Sequence, residues 1–323
     1  MREEMSAAQA GWAAGHWRPA RESAKRILAE SFSRREPDLH AQACLLLAQT
    51  LTLESKFALA AQFASRSRRY FAQQQEPQGL SESMLLTSYI ESALGHDREA
   101  VAAAQGVAAG VQAMRKRPAA GLNYEAIAAI WRAEYGVAGQ VLEAACQLAP
   151  QETGGSASAF HPLVNAILAE VFRCAELRMQ GRVADFAPAE ALVAQAWGLW
   201  RGGEWAGLAS VSALPAAFLL SFATCFLASR ARQSARADRY YLRCLQYASC
   251  LPPSSWMQSL LWWARLERTM AAHDLQEAAV SAQRMLLTAL EGEHLPMRKL
   301  ARQLAAEAHA HLGAEPSPHT TLF

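Results

Sequence analysis

Punctuation that returns every 40 residues constrains this chain more than any other feature. Pro37, Pro77 and Pro118 are spaced by 40 and 41; the first two close matching phrases, Arg35-Glu36-Pro37 and Gln75-Glu76-Pro77, and the third closes Lys116-Arg117-Pro118. A second series runs midway between them: Gly15, Ser55, Gly95 and Gly136, spaced by 40, 40 and 41. It continues through Gly181, a turn near Ala231, Ala272 and Gly313, the last two steps being 41 each. Insertions at Gln151–Ser158 and Arg201–Ser212 absorb the longer steps around Gly181. A fixed period of this length marks a repeat array.

Between the marks the text is helical. Segments such as HAQACLLLAQTLTLE, SESMLLTSYIESAL and NYEAIAAIWRAEYG carry apolar residues at three- and four-residue spacings, and no segment sustains a period of two. Each unit therefore reads as helix A, a tight turn, helix B and a proline-bearing loop. Proline stops helix B, and glycine at the A–B turn supplies left-handed backbone. Small residues recur where hairpins need close approach: Ala8, Ala20 and Ala24; Ala48, Ala60 and Ala64; Ser88, Ala100 and Ala104, each set spaced 12 and then 4. The expected fold is all-α: a right-handed superhelical solenoid of about seven helix-turn-helix repeats plus a closing helix, filling residues 1–313, with a polar tail or linker over 314–323. Stacked repeats touch only their neighbours.

Small residues at these phases, with a glycine at the intervening turn, resemble the tetratricopeptide repeat. The period of about 40 is longer than the family's, and the family's Trp-Leu-Gly-Tyr signature is mostly missing, with Leu47-Ala48 standing for Leu-Gly. The long form is similar to repeat modules of bacterial signalling proteins: certain diguanylate cyclases, maltose-regulator activators and peptide-pheromone receptors. HEAT-like helix pairs are the structural alternative. In tetratricopeptide arrays the A helices line the concave face. Carried over by the turn alignment, the resemblance implies a groove lined by Gln42, Gln49 and Thr52, then Glu82 and Tyr89, then Asn123 or Tyr124 and Glu134. For the later units it implies Trp263, Glu267, Gln303 and Glu307.

Composition narrows the function. Hydrophobic residues make up 52% and charged residues 19%, which excludes a disordered chain, and a net charge of +2 provides no field for nucleic acid or an anionic membrane. None of the six cysteines forms a CxxC pair, and the opening MREEMSAAQAGW has no leader pattern. The uncharged run from Trp205 to Ser229 has the length of a bilayer span. Its serines, Thr224, Pro215 and its alanines favour instead a helix buried on several sides.

Catalytic signatures are missing: there is no GxxxxGK[ST], HExxH or GxSxG. Arg201-Gly202-Gly203-Glu204-Trp205 only superficially resembles a cyclase signature and reads as a loop. Glu307, His309 and His311 read as a solvated last helix, and Glu291, Glu293 and His294 as a loop, not as metal sites. The basic runs Arg66, Arg68, Arg69 and Arg115, Lys116, Arg117 complement helix C-termini. The expectation is a non-enzymatic, cytoplasmic scaffold that binds a peptide or protein partner in its groove, without cofactor, metal, nucleic acid or membrane. It stands alone or serves as the sensory module of a bacterial signalling protein. A helical small-molecule sensor or helical-toroid enzyme is the alternative.

Overall fold

The computed structural model describes residues 1–13, 16–112, 119–153, 159–202 and 213–312. Those residues form fifteen helices and no strand, arranged as seven hairpins and a closing helix. The hairpins are α1 (Arg2–Ala13) with α2 (Trp17–Arg34), α3 (Pro37–Leu53) with α4 (Phe57–Gln73), and α5 (Pro77–Leu94) with α6 (Asp97–Gln112). Next come α7 (Ala119–Trp131) with α8 (Tyr135–Thr153), and α9 (Phe160–Met179) with α10 (Ala187–Gly202). Then follow α11 (Ala213–Arg230) with α12 (Ser234–Ser249), α13 (Ser255–Ala271) with α14 (Leu275–Glu291), and α15 (Leu295–Leu312). Odd-numbered helices up to α13 are the A helices. The expected turns at Gly15 and Gly313, the run Arg115–Pro118, Trp205 and the tail 314–323 lie outside the described residues.

Local chemistry sets the hairpin ends. Pro37 and Pro77 each occupy the first turn of an A helix, where a missing N–H costs nothing. Glu76 caps α5 by accepting from the N–H groups of Gln78 and Gly79, and Asp274 caps α14 through Glu277 N–H. Six described hairpin turns each hold one residue in the left-handed region: Ser55, Gly95, Ala133, Gly181, Arg232 and His273. The fourth turn corrects the sequence reading. Ala133, not Gly136, takes the left-handed position, and Gly136 lies inside the first turn of α8.

Each A helix packs against the next A helix as well as against its own partner, whereas no such packing joins one described B helix to the next. The A helices therefore make one continuous inner wall with the B helices outside it. Close approach is possible because Ala20, Ala24, Ala48, Ala60, Ala64, Ser88 and Ala100 are all buried; Ala104 is half-buried. A larger side chain at those points would force the helices apart. Helix α11 alone among the described helices is long and apolar enough to cross a membrane by length and composition. It is buried from Ala216 to Ser229 by α9, α12 and α13, as the buried-helix reading expects.

Neighbour-only contact does not hold at the ends of the array. Helix α15 packs against α5 and α9 as well as α13 and α14, so the C-terminal hairpins return to the second and third. Along this seam Ser55 Oγ meets Ser254 Oγ at 2.5 Å, and the Ala58 N–H donates to Glu293 Oε2 at 2.7 Å. Leu295 covers Gly95 so closely that a Cβ there would run into its side chain. The A layer bends far enough for α13–α15 to return to the second and third hairpins.

Candidate functional site

The curved A layer encloses a chamber of about 710 Å³. Helix α3 and its turn contribute Gln49, Thr52 and Ser55; α5 contributes Tyr89; α7 contributes Asn123 and Tyr124; α9 contributes His161 and Asn165. Phe57, Leu86, Ile127, Leu219, Trp256 and Met257 supply much of the apolar wall. Among the described residues that line it there is no Asp, Glu, Lys or Arg.

The polar groups fall into two kinds. Some are already engaged: Asn165 Nδ2 donates to Asn123 Oδ1 at 2.8 Å, and Thr52 Oγ1 donates to the Ala48 carbonyl. Others are unspent: the side chains of Gln49, Tyr89, Tyr124 and His161 make no hydrogen bond among the described residues. Tyr89 sits between Phe57, 6.2 Å away, and Tyr124, 6.3 Å away and edge-on. Burial pushes both phenols above their ordinary range, and Glu82 adds to the shift at Tyr124. Burial also holds the His161 imidazole down at about 4, so it is neutral at pH 7. Tyr89, Tyr124 and His161 keep some accessible surface although they are desolvated, because that surface faces the chamber.

Helices α9, α11 and α13 reach the chamber with their N-terminal ends. At their C-terminal ends, with α15, they bound a second basin of about 490 Å³ whose character is ionic. Glu267 is its centre, only 2% exposed. It accepts from Arg178 Nη1 at 3.0 and 3.2 Å, from Trp263 Nε1 at 3.0 Å, and from Arg230 Nη2. Arg178 Nη2 also donates to Glu307 Oε2 at 2.9 Å. Burial pushes both carboxyls upward against the pull of Arg178.

Between the two spaces lies a septum of rings. Trp263 packs against Phe222 at 5.2 Å, Phe172 at 5.4 Å and Phe226 at 5.5 Å, and Trp131 meets Phe172 at 5.5 Å. Along α13 the inward stripe is Trp256, Trp263, Glu267 and Met270, at one- and two-turn spacings. It runs from chamber through septum to basin over roughly 16 Å from Trp256 to Glu267, taking 1.5 Å per residue.

His294, at the seam, is the third feature. It is 1% exposed and wedged between Trp131, Trp256 and Phe57, with ring centroids 4.5, 6.1 and 5.7 Å away. The Met297 N–H donates to its Nδ1 at 3.2 Å, which places the ring proton on Nε2, and burial holds its pKa down at about 3.

The expected groove residues divide accordingly. Gln49, Thr52, Tyr89, Asn123 and Tyr124 line the chamber, and Glu267 and Glu307 line the basin. Gln42 instead donates to Asp38 on the surface of α3, Glu82 accepts from Gln78 in the open, and Gln303 is exposed on α15. Glu134 lies in the α7–α8 turn, where the bonded Arg132 holds its carboxyl below the ordinary range. Trp263 is corrected: it is wholly buried in the septum, and the tryptophan that α13 turns to the chamber is Trp256. Sequence reading missed His161, Asn165 and Trp256. A signal for Asn165 was present, since it lies 42 residues from Asn123, one repeat on. Among the described residues no three His, Cys, Asp or Glu side chains are grouped to hold a metal ion. No protein-family model matches the chain, and no curated protein is similar to it.

Proposed function

We propose that the chain is a non-enzymatic binding scaffold whose chamber takes an uncharged segment of a peptide or protein partner. The observation that carries this reading is the lining: an aromatic and aliphatic wall, no charged side chain among the described residues, and unspent carboxamide, phenol and imidazole groups facing inward. A volume of about 710 Å³ falls within the range of roughly 300–1,000 Å³ common for ligand sites. Carboxamides offer a donor and an acceptor together, which matches a peptide group. The first turns of α9, α11 and α13 open onto the chamber, and the partial positive charge of helix N-termini suits carbonyl oxygens. The regulatory role and cytoplasmic setting implied by the resemblance belong to the same proposal.

One observation favours a second reading. The septum bars an extended chain from running the length of the A layer, so a neutral small molecule is the alternative occupant. Capture of partners on the intact chain, followed by peptide mapping and native mass spectrometry of the purified protein, separates the two. Once a bound peptide is in hand, Tyr89→Ala should weaken it roughly thirtyfold or more, as truncating a hot-spot residue does, with helical content unchanged. Equal affinity across Gln49→Ala, Tyr89→Ala and Asn123→Ala would move the binding surface elsewhere.

A further inference from the structure

We propose that the ionic basin is a second binding site, specific for a small oxyanion group, a carboxylate or a phosphate. The hydrogen-bonding capacity of its side chains points there. Both oxygens of Glu267 are taken: Oε1 by Arg178 and Trp263, Oε2 by Arg178 and Arg230. Glu307 spends Oε2 on Arg178, so its Oε1 is the one carboxylate oxygen left. Among the charged side chains, what remains is almost all donors. Arg178 Nε and Arg230 Nε are buried with no acceptor, so neither guanidinium is fully satisfied by the carboxylates. The side chains of Arg232 and His273 line the basin with no hydrogen bond or ion pair among the described residues, and His311 lines it beside Glu307.

Three guanidiniums, Arg178, Arg230 and Arg232, face two carboxylates, Glu267 and Glu307. That excess positive charge stands against the partial negative charge of the α9, α11 and α13 C-termini, so an anion is held by the guanidinium donors and not by a general positive field. The placement is built into the repeat. Arg232 and His273 are the left-handed residues of two successive hairpin turns, 41 positions apart, so both hang over the same space. Glu267, buried beneath them, pins Arg178 and Arg230 in fixed orientation. Fixed guanidinium forks with unspent N–H groups match the geometry of carboxylate and phosphate oxygens. No chamber residue takes part, so this site stands or falls separately from the proposed function.

Titrating the full chain with inorganic phosphate and with succinate, calorimetrically at low ionic strength, tests the proposal. Wild type should bind at least one probe saturably. Arg232→Ala should weaken it at least about tenfold, the loss expected of one charge-assisted hydrogen bond. Arg232→Lys should recover part of that, and Arg232→Ala with His273→Ala should abolish binding while the circular dichroism spectrum stays unchanged. Tyr89→Ala should leave the probe's affinity as it was. Binding of phosphate alone or succinate alone identifies which oxyanion the site takes. No binding of either probe up to about 10 mM, weaker than any affinity worth calling specific, overturns the proposal. So does equal affinity in wild type and Arg232→Ala.

Discussion

The chamber and the basin are bounded by the same three helices, α9, α11 and α13, and are chemically opposite. At the N-terminal ends the wall is neutral and aromatic; at the C-terminal ends it is ionic. Helix polarity accounts for half of this. The last turn of a helix carries partial negative charge, which favours Arg178 and Arg230 where they stand. It does not account for the chamber, since helix N-termini would welcome carboxylates and none lines it among the described residues. The neutrality of the chamber is therefore a property of its lining side chains, held apart from the ionic cluster by the ring septum. One scaffold thus holds a neutral lining and an ionic one, with a dry layer of rings between them.

Removing the septum should destabilise both regions at once. Trp263→Ala takes out a fully buried indole and the N–H it gives to Glu267, and should cost about 3–5 kcal/mol in denaturant unfolding. A variant that unfolds like wild type would mean that the rings between the two spaces do not bear on the core.

Acid should sharpen the comparison, because the two regions titrate with opposite sign. His161 and His294 are held neutral by burial, at about 4 and about 3, so the unfolded chain takes up protons more readily than the folded one. Their contribution is whole above the ordinary imidazole pKa and is lost as pH falls below it, by about 2 kcal/mol each between pH 7 and 5. Glu267 and Glu307 are raised, so the folded state binds their protons more tightly, and their effect adds stability as pH falls toward the ordinary carboxylate value. Urea unfolding at pH 7 and 5 reads the difference. His161→Phe should flatten that acid loss by about 2 kcal/mol, and an unchanged slope would mean that the imidazole is hydrated.

The smallest effect should fall on one region only. Gly95 has φ of 80° and lies under Leu295. Gly95→Ala adds left-handed strain and a clash, at about 1–2 kcal/mol, and should loosen the seam that walls the chamber. Phosphate or succinate affinity at the basin should not move. A matching change there would show the two sites to be coupled.

How much of this was legible follows from what is local. The turns at Ser55, Gly95 and Gly181 were readable because left-handed backbone leaves a mark in residue type and spacing. Ala133 left none, and Gly136, three residues on, gave a false one. On α3 and α5 the face was readable and the depth was not: Gln49 and Tyr89 reach the chamber, as does Asn123 on α7, while Gln42 and Glu82, two turns earlier on the same faces as Gln49 and Tyr89, lie outside it. On α13 the stripe was right and the depth wrong. Trp263 lies two turns below Trp256 on one face, and periodicity cannot tell a wall from a septum. The seam was not legible at all. Ser55 and Ser254 are 199 residues apart and carry no shared pattern, since their meeting depends on the summed curvature of the hairpins between them.

That seam has a consequence for how the molecule comes into being. Glu293 reaches back 235 residues to the first turn of α4, and Leu295 to the end of α5. During synthesis the early hairpins can stack as they emerge, since their contacts are local. Phe57 and Gly95 must nevertheless wait, uncovered, until the ribosome has made His294 and Leu295 roughly 200 residues later. Closing so distant a contact is slow, and apolar surface left waiting for it is open to association with other chains. Removing α15 should therefore be felt first at α4 and α5.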